Sequence, residues 1–415
     1  MRKDELLIRF SSILDSICIF SLSILFLSGA YSKRAVKVCL GVAFLCWLAK
    51  KIIIHRRRFL KNLSPKTFLS FPVLFFLVAC IVSVLFSTNI RHSQSVFFER
   101  YFLYFILFFM VVDLASSRRN FRVLVSVLCL GIFIIAIGVL RDFLIFSGQH
   151  RLLTSFGKPI GTNFFIPMAL PIFLCMSIFS SYSKKIKLVF GIITAILALA
   201  LFLSFSRASF ISIFAVLIFM GFFGVRSERR KLYFALFLIF IFVGTGISLS
   251  TEFGRRHFIG KGATDSALFG FRVPLWTGAI NIGRTRPLIG KGLGTCEFYL
   301  ADNVPGLKDY IYTEKIQAEY LHAHSTYLEL FAETGLLGLF AFFWLWIVFI
   351  KNALKALSKG YHNNIYFIFL GLFSGVLATL IFEMASSNIL VGVQGPTIFW
   401  GVTGLAVAVS RRIGT

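Results

Sequence analysis

The stretch His322-Ala323-His324-Ser325 stands directly before a long apolar run, which places two imidazoles at the edge of a rigid support. A histidine with an ordinary pKa near ~6.5 is neutral over much of the working range and can take a proton from a hydroxyl, worth roughly 10²–10⁴ in rate. At least one of the pair is therefore a candidate general base; taken alone, the pair reads equally as interfacial polar residues. A zinc site is not indicated, because His-x-His needs further ligands and the nearby Glu314 and Glu319 lack a recognised zinc spacing. The apolar run carries Glu329 and Glu333, two carboxylates on one helical face, either of which could orient a histidine, contact a sugar or pair with an arginine. Gly335 and Gly338, further along, read as positions of close helix packing.

Three arginines join the inventory: Arg207 in the short connection around Ser206 and Ala208, Arg272 before Val273-Pro274, and Arg286 before Pro287. A guanidinium is a permanently charged fork that fits phosphate oxygens bidentately, and dry surroundings strengthen the attraction. The plain alternatives are a snorkelling residue for Arg207 and a turn residue for Arg286. A base with several phosphate-sized cationic holders beside lipid implies a lipid phosphate as substrate.

These groups need a membrane frame. Of 415 residues, 58% are hydrophobic and 14% charged, and the mean hydropathy is +0.86, beyond what a soluble domain tolerates. The expected fold is all-α and polytopic, with about 12 spans of roughly 20 apolar residues each. They fall near 11–30, 35–54, 68–86, 96–114, 121–140, 162–181, 187–204, 208–225, 232–250, 325–350, 364–385 and 390–409. The net charge of +26 maps mainly onto the termini and the even-numbered connections, which hold 25 of the 43 lysines and arginines. By the positive-inside rule both termini and those connections are cytoplasmic, so the charge reports orientation and implies no nucleic-acid partner. Seven cysteines give no disulfide framework: six lie in apolar segments and only Cys296 does not. The first apolar segment runs into Tyr31-Ser32-Lys33-Arg34 without a small-residue cleavage pattern, and is expected to be a retained span.

A single membrane domain over 1–415 is expected, since neither a repeat nor a Pro/Gly/Ser-rich linker divides the chain. The outlier is the 251–324 connection between the ninth and tenth spans, extracytoplasmic under this topology, with nine Lys or Arg against seven Asp or Glu. Loops this long usually carry function. Its middle, from Leu275-Trp276 to Ile282, has helical periodicity, and Arg286-Pro287-Leu288-Ile289-Gly290-Lys291-Gly292-Leu293-Gly294 is a glycine-punctuated turn. Short surface helices joined by tight turns are expected there.

On these residues the chain resembles the bacterial O-antigen ligases, within the ligase and polymerase superfamily of polytopic glycosyltransferases. The most specific match is His324-Ser325, nine residues, Gly335, two residues, Gly338. Ser206-Arg207-Ala208, Arg272 with Trp276, and the 286–294 turn support it, although Ala208 and Ser325 stand where glycine and asparagine are common. The resemblance implies transfer of a preassembled polysaccharide from undecaprenyl diphosphate to a sugar hydroxyl of lipid A-core, in lipopolysaccharide biosynthesis. It implies an inverting, metal-independent reaction without a cofactor, on the periplasmic side of the bacterial inner membrane. His324 would be the base, Arg207 and Arg272 the diphosphate holders, and Arg286, His322 and Glu319 further substrate contacts.

Two other readings stay open. An O-antigen polymerase or a protein O-oligosaccharyltransferase of the same superfamily would differ in acceptor; a single dominant loop near the C-terminal end favours the ligase. A lipid-linked glycan transporter would carry charges near the midplane and broken helices. Here the span centres are mostly apolar, although Pro167 and Pro171 interrupt the sixth and Asp113 and Glu383 lie near span ends.

Overall fold

The computed structural model describes residues 3–28, 32–55, 65–145, 162–204, 206–225, 227–250, 272–304, 321–360, 363–392 and 394–414. Among these residues every regular element is a helix. In chain order they are α1 (Lys3–Ser28), α2 (Lys33–His55), α3 (Ser70–Leu85), α4 (Ile90–Val96), α5 (Leu103–Leu114), α6 (Arg118–Ile145), α7 (Thr162–Leu174), α8 (Lys184–Ser204), α9 (Arg207–Gly224) and α10 (Glu228–Ser250). Two short helices follow, α11 (Arg272–Thr285) and α12 (Cys296–Asn303), then α13 (Thr326–Ser358), α14 (Asn364–Phe382) and α15 (Gln394–Gly414).

Each expected apolar segment falls on a helix. Seven helical stretches among the described residues are long and apolar enough to cross a membrane: Arg9–Ser28, Ile90–Leu114, Arg118–Gly138, Lys184–Phe202, Arg207–Gly224, Thr326–Ser358 and Asn364–Ala385. Ser70–Leu85 and Phe164–Phe179 are apolar but shorter. The protein is thus a polytopic, all-α membrane protein, with seven rather than about twelve helices meeting that standard. The others fall short for visible reasons. Helix α2 carries Lys33, Arg34 and Lys37 at one end and Lys50 and Lys51 at the other, while α15 starts with Gln394-Gly395-Pro396-Thr397 and ends with Arg411 and Arg412.

The helices divide into a core and a lipid-facing shell. α14 and α15 bury nearly all their side chains, and Trp400 is completely enclosed among Phe105, Phe108, Trp346 and Phe399. Outer helices instead present large apolar groups, such as Phe222 at 81% and Phe242 at 80% exposure. Water would penalise such a surface and hydrocarbon does not, so the exposure pattern itself calls for lipid. Helix α7 continues through Pro167 and Pro171 and then widens into a π turn at Cys175–Phe179, so the prolines do not split it.

One end of the bundle is organised around a break in α13. Gly335 has φ +63°, a left-handed value that glycine adopts readily, and the helix there forgoes its regular bonds. Leu336 and Leu337 donate their N–H groups to Pro287 O (2.7 Å) and Leu288 O (3.1 Å) instead of to the preceding turn. The carbonyls they would have used, Ala332 O and Glu333 O, accept from Lys291 N (3.0 Å) and Gly292 N (2.9 Å). The 286–294 turn thus splices the helix, replacing two intrahelical bonds with four to itself, so the break leaves none of these groups unsatisfied. A Cβ on Gly335 would lie 2.4 Å from Leu288 C, so Gly335 serves the splice rather than ordinary helix packing.

The spliced turn is anchored from the other side by the α3–α4 corner. Ser83 Oγ donates to Glu333 O (2.7 Å), Thr88 N to Lys291 O (2.9 Å) and Ser93 Oγ to Leu293 O (2.8 Å). The expected short helices are present as α11 and α12, which pack with Leu321, Ala323 and Ala332 in a small second core. Residues 251–271 and 305–320, including Glu314 and Glu319, lie outside the described residues.

Candidate active site

Residues 321–325 form no regular element and lead into α13. Leu321, Ala323 and Ser325 are buried, so simple alternation would send His322 and His324 to the same side. A left-handed φ of +48° at His324, the single non-glycine positive φ among the described residues, separates them. A histidine in this conformation is uncommon and costs about 1–3 kcal/mol, so its surroundings must hold it there. Trp276 Nε1, on α11, donates to His324 O at 3.4 Å, and Thr326 N donates to Ser386 O at 2.8 Å.

His324 turns toward the arginines. Part of the residue is exposed, yet enough protein surrounds the ring that burial, followed by the charge of Arg272, holds it below the ordinary histidine value. Arg272 is the first residue of α11, and burial and then the like charge of Arg207 pull its guanidinium downward, though an arginine stays protonated. Arg207 opens α9, where the Ser206 side chain caps the helix by accepting from Ser209 N. Three residues from three distant parts of the sequence thus lie within electrostatic reach at one end of the bundle: two fixed cations and a neutral imidazole.

His322 turns the other way. Its Nδ1 lies 3.0 Å from Glu329 Oε1, one helical turn into α13. Burial acts to lower His322, but the charge and hydrogen bond of Glu329 outweigh it and raise the imidazole above its ordinary value. Arg286 is exposed on the turn and gives Nη1 to Phe86 O (2.9 Å), tying the turn to the end of α3.

The profile of the family described as O-Antigen ligase matches residues 192–343. That part of the chain is similar to the O-antigen ligase family. The matched stretch runs from α8 into the spliced part of α13, and it contains Arg207, Arg272, Arg286, His322, His324, Glu329 and Glu333. Members of the matched family are glycosyltransferase-like enzymes. Comparison with curated proteins gives no match.

Beneath the His324 segment lies a polar layer whose carboxylates the sequence showed but whose arginine it did not. A π turn at Phe97–Phe102 interrupts the apolar helix between α4 and α5 and directs Arg100 into a small cavity shared with Thr326, Glu329, Glu333 and Ser387. Such turns concentrate at functional sites because they shift a side chain out of helical register. Glu333 Oε1 accepts from Cys296 N (3.4 Å), so one carboxylate ties α13 to α12. Glu383, fully buried after α14, accepts from Thr326 Oγ1, Asn388 N (2.7 Å) and Ile389 N (3.1 Å) and so fixes the start of α13 to the turn after α14. A lone arginine inside a run as apolar as 96–114 is the signal that could have found Arg100.

Proposed function

We propose that the protein is an O-antigen ligase, transferring a glycan from undecaprenyl diphosphate to a sugar hydroxyl of lipid A-core. In this reading both termini are cytoplasmic and the site faces the periplasm at the bacterial inner membrane. The observation that carries the proposal is the convergence of Arg207, Arg272 and His324.

His324 accepts the proton of the acceptor hydroxyl, and the freed oxygen attacks the anomeric carbon. The bond from that carbon to the diphosphate oxygen breaks, its electron pair leaving with the lipid diphosphate. Arg207 and Arg272 bind the diphosphate and stabilise the charge that grows on it, an electrostatic contribution largest in a site shielded from water. Attack opposite the leaving group inverts the anomeric centre. Diphosphate leaves readily, so the paired carboxylates of a glycosidase are not required. Transfer requires neither metal nor cofactor in this scheme. His322, Arg286 and Glu319 are second contacts; Arg286 already gives one N–H to Phe86 O, which leaves the rest of its exposed fork for an anionic substrate.

The test is transfer by the purified protein in liposomes, with undecaprenyl-diphosphate glycan as donor and three acceptors offered separately. Product on lipid A-core supports the ligase, extension of the lipid-linked chain identifies a polymerase, and product on a protein hydroxyl identifies a protein O-oligosaccharyltransferase. Movement of the donor across the bilayer without transfer would return the transporter reading.

A further inference from the structure

The buried carboxylate nearest the histidines has no place in the chemistry above. Glu329 lies in the first turn of α13 with only 7% of its surface exposed, and transfer from a diphosphate needs no second acid. It nevertheless reaches back over the helix start to the His322 ring. This contact closes a small loop of chain, 322–329, that contains His324 and its left-handed backbone.

We propose that Glu329 is a positioning residue for His324, acting through a hydrogen-bonded latch to His322 that holds the 322–325 segment in shape. This rests on the reading of His324 as the base. Three observations carry it. The left-handed φ of His324 must be imposed by its surroundings, and the ties on the segment come from three directions: Trp276 on the His324 carbonyl, Ser386 on Thr326 N, and Glu329 on the ring of His322. Of these, only the Glu329 contact grips a side chain ahead of the strained residue, two positions before it. The two imidazoles also face different neighbours. The strongest charged neighbour of His322 is Glu329, whereas that of His324 is Arg272. The latch therefore pulls one histidine inward while the backbone delivers the other to the arginines.

Glu329 is itself set firmly enough to serve as an anchor. Its backbone N–H donates to Ser325 O (2.9 Å), and it is enclosed with Arg100, Glu333 and Thr326 around the same cavity. Mispositioning a reacting group by ~1 Å costs on the order of 10² in rate, so the latch is worth a large factor without touching substrate.

A double-mutant cycle in the liposome assay tests this. Glu329→Ala and His322→Ala are expected to lower kcat by about 10²-fold, and Glu329→Ala to leave the donor KM within twofold. His322→Asn keeps a nitrogen at the Nδ1 position that can still donate to Glu329, and is expected to recover activity to within about threefold of the parent. In a His324→Ala background, Glu329→Ala should cost nothing further, because the group it positions is gone. An undiminished loss in that background, or a His322→Asn variant as slow as His322→Ala, would overturn the latch. Thermal unfolding of each variant in detergent separates a misplaced histidine from an unfolded helix. His322→Asn, the mildest change, keeps the test decisive if the alanine variants do not fold. Activity retained by His324→Ala itself would remove the base assignment instead, so the two failures are distinguishable.

Discussion

Gly290 and Glu333 meet backbone to backbone: a Cβ built on Gly290 would fall 2.2 Å from the Glu333 carbonyl oxygen, with Gly290 at φ +69°. No side chain fits at that contact, and the contact is where the glycine turn enters the broken helix.

The first prediction concerns that splice. Gly290→Ala should destabilise the protein by at least ~2 kcal/mol, through the left-handed backbone and the clash together. Gly335→Ala should behave alike, since its Cβ would meet Leu288 C at 2.4 Å. Gly41, inside α2 with nothing within 4 Å of its Cβ position, is the control, and its alanine variant should be neutral or stabilised by about 0.5–1 kcal/mol. Thermal unfolding in detergent gives the comparison.

A second prediction follows from Glu383. Replacing it with alanine strands Asn388 N and Ile389 N in a buried setting and leaves the Thr326 hydroxyl only its 3.2 Å bond to Ser386 O, at a total cost on the order of 3 kcal/mol. The start of α13 should loosen first, which hydrogen exchange over residues 325–330 would register as faster exchange; exchange unchanged there would contradict the capping role.

The pH profile supplies a third. Burial, then Arg272, holds His324 below the ordinary histidine value, and a base acts only when unprotonated. Activity should therefore persist below pH ~6.5 and fall as the pH drops through the lowered value. Arg272→Ala removes a positive neighbour, so protonation becomes easier and the acid limb of kcat/KM should move to higher pH. A limb that stays in place or moves to lower pH would separate Arg272 from His324.

Much of this was legible in the sequence, because the signals were local or periodic. Apolar run length located the helices, and the spacing from His324 to Gly335 and Gly338 singled out the ligase motif. What was not legible depends on contacts between distant segments. Gly335 read as a packing glycine, since nothing near it in sequence announces that Pro287 and Leu288 will accept the bonds of Leu336 and Leu337. Arg100 went unnoticed because a π turn, rather than a recognisable motif, directs it inward. The choice between Glu329 and Glu333 stayed open because their spacing places both on one face, and only the fold shows that Glu329 reaches His322 while Glu333 reaches Cys296 N. Glu319, one of the expected contacts, lies outside the described residues.

A fourth prediction addresses the donor. Arg207 and Arg272 are like charges brought together, an arrangement that costs energy without an anion between them and strengthens once a diphosphate binds. Inorganic pyrophosphate should inhibit transfer competitively with the lipid donor, and Arg207→Ala or Arg272→Ala should weaken that inhibition by about 10-fold or more. Equal inhibition of parent and variants would place the diphosphate elsewhere.

The most direct test of the whole account is a single-turnover transfer assay in liposomes comparing the parent protein with His324→Ala at matched donor occupancy. The account predicts that His324→Ala binds the lipid-linked donor as the parent does and transfers it at least ~10²-fold more slowly. Transfer by His324→Ala at the parent rate would contradict it.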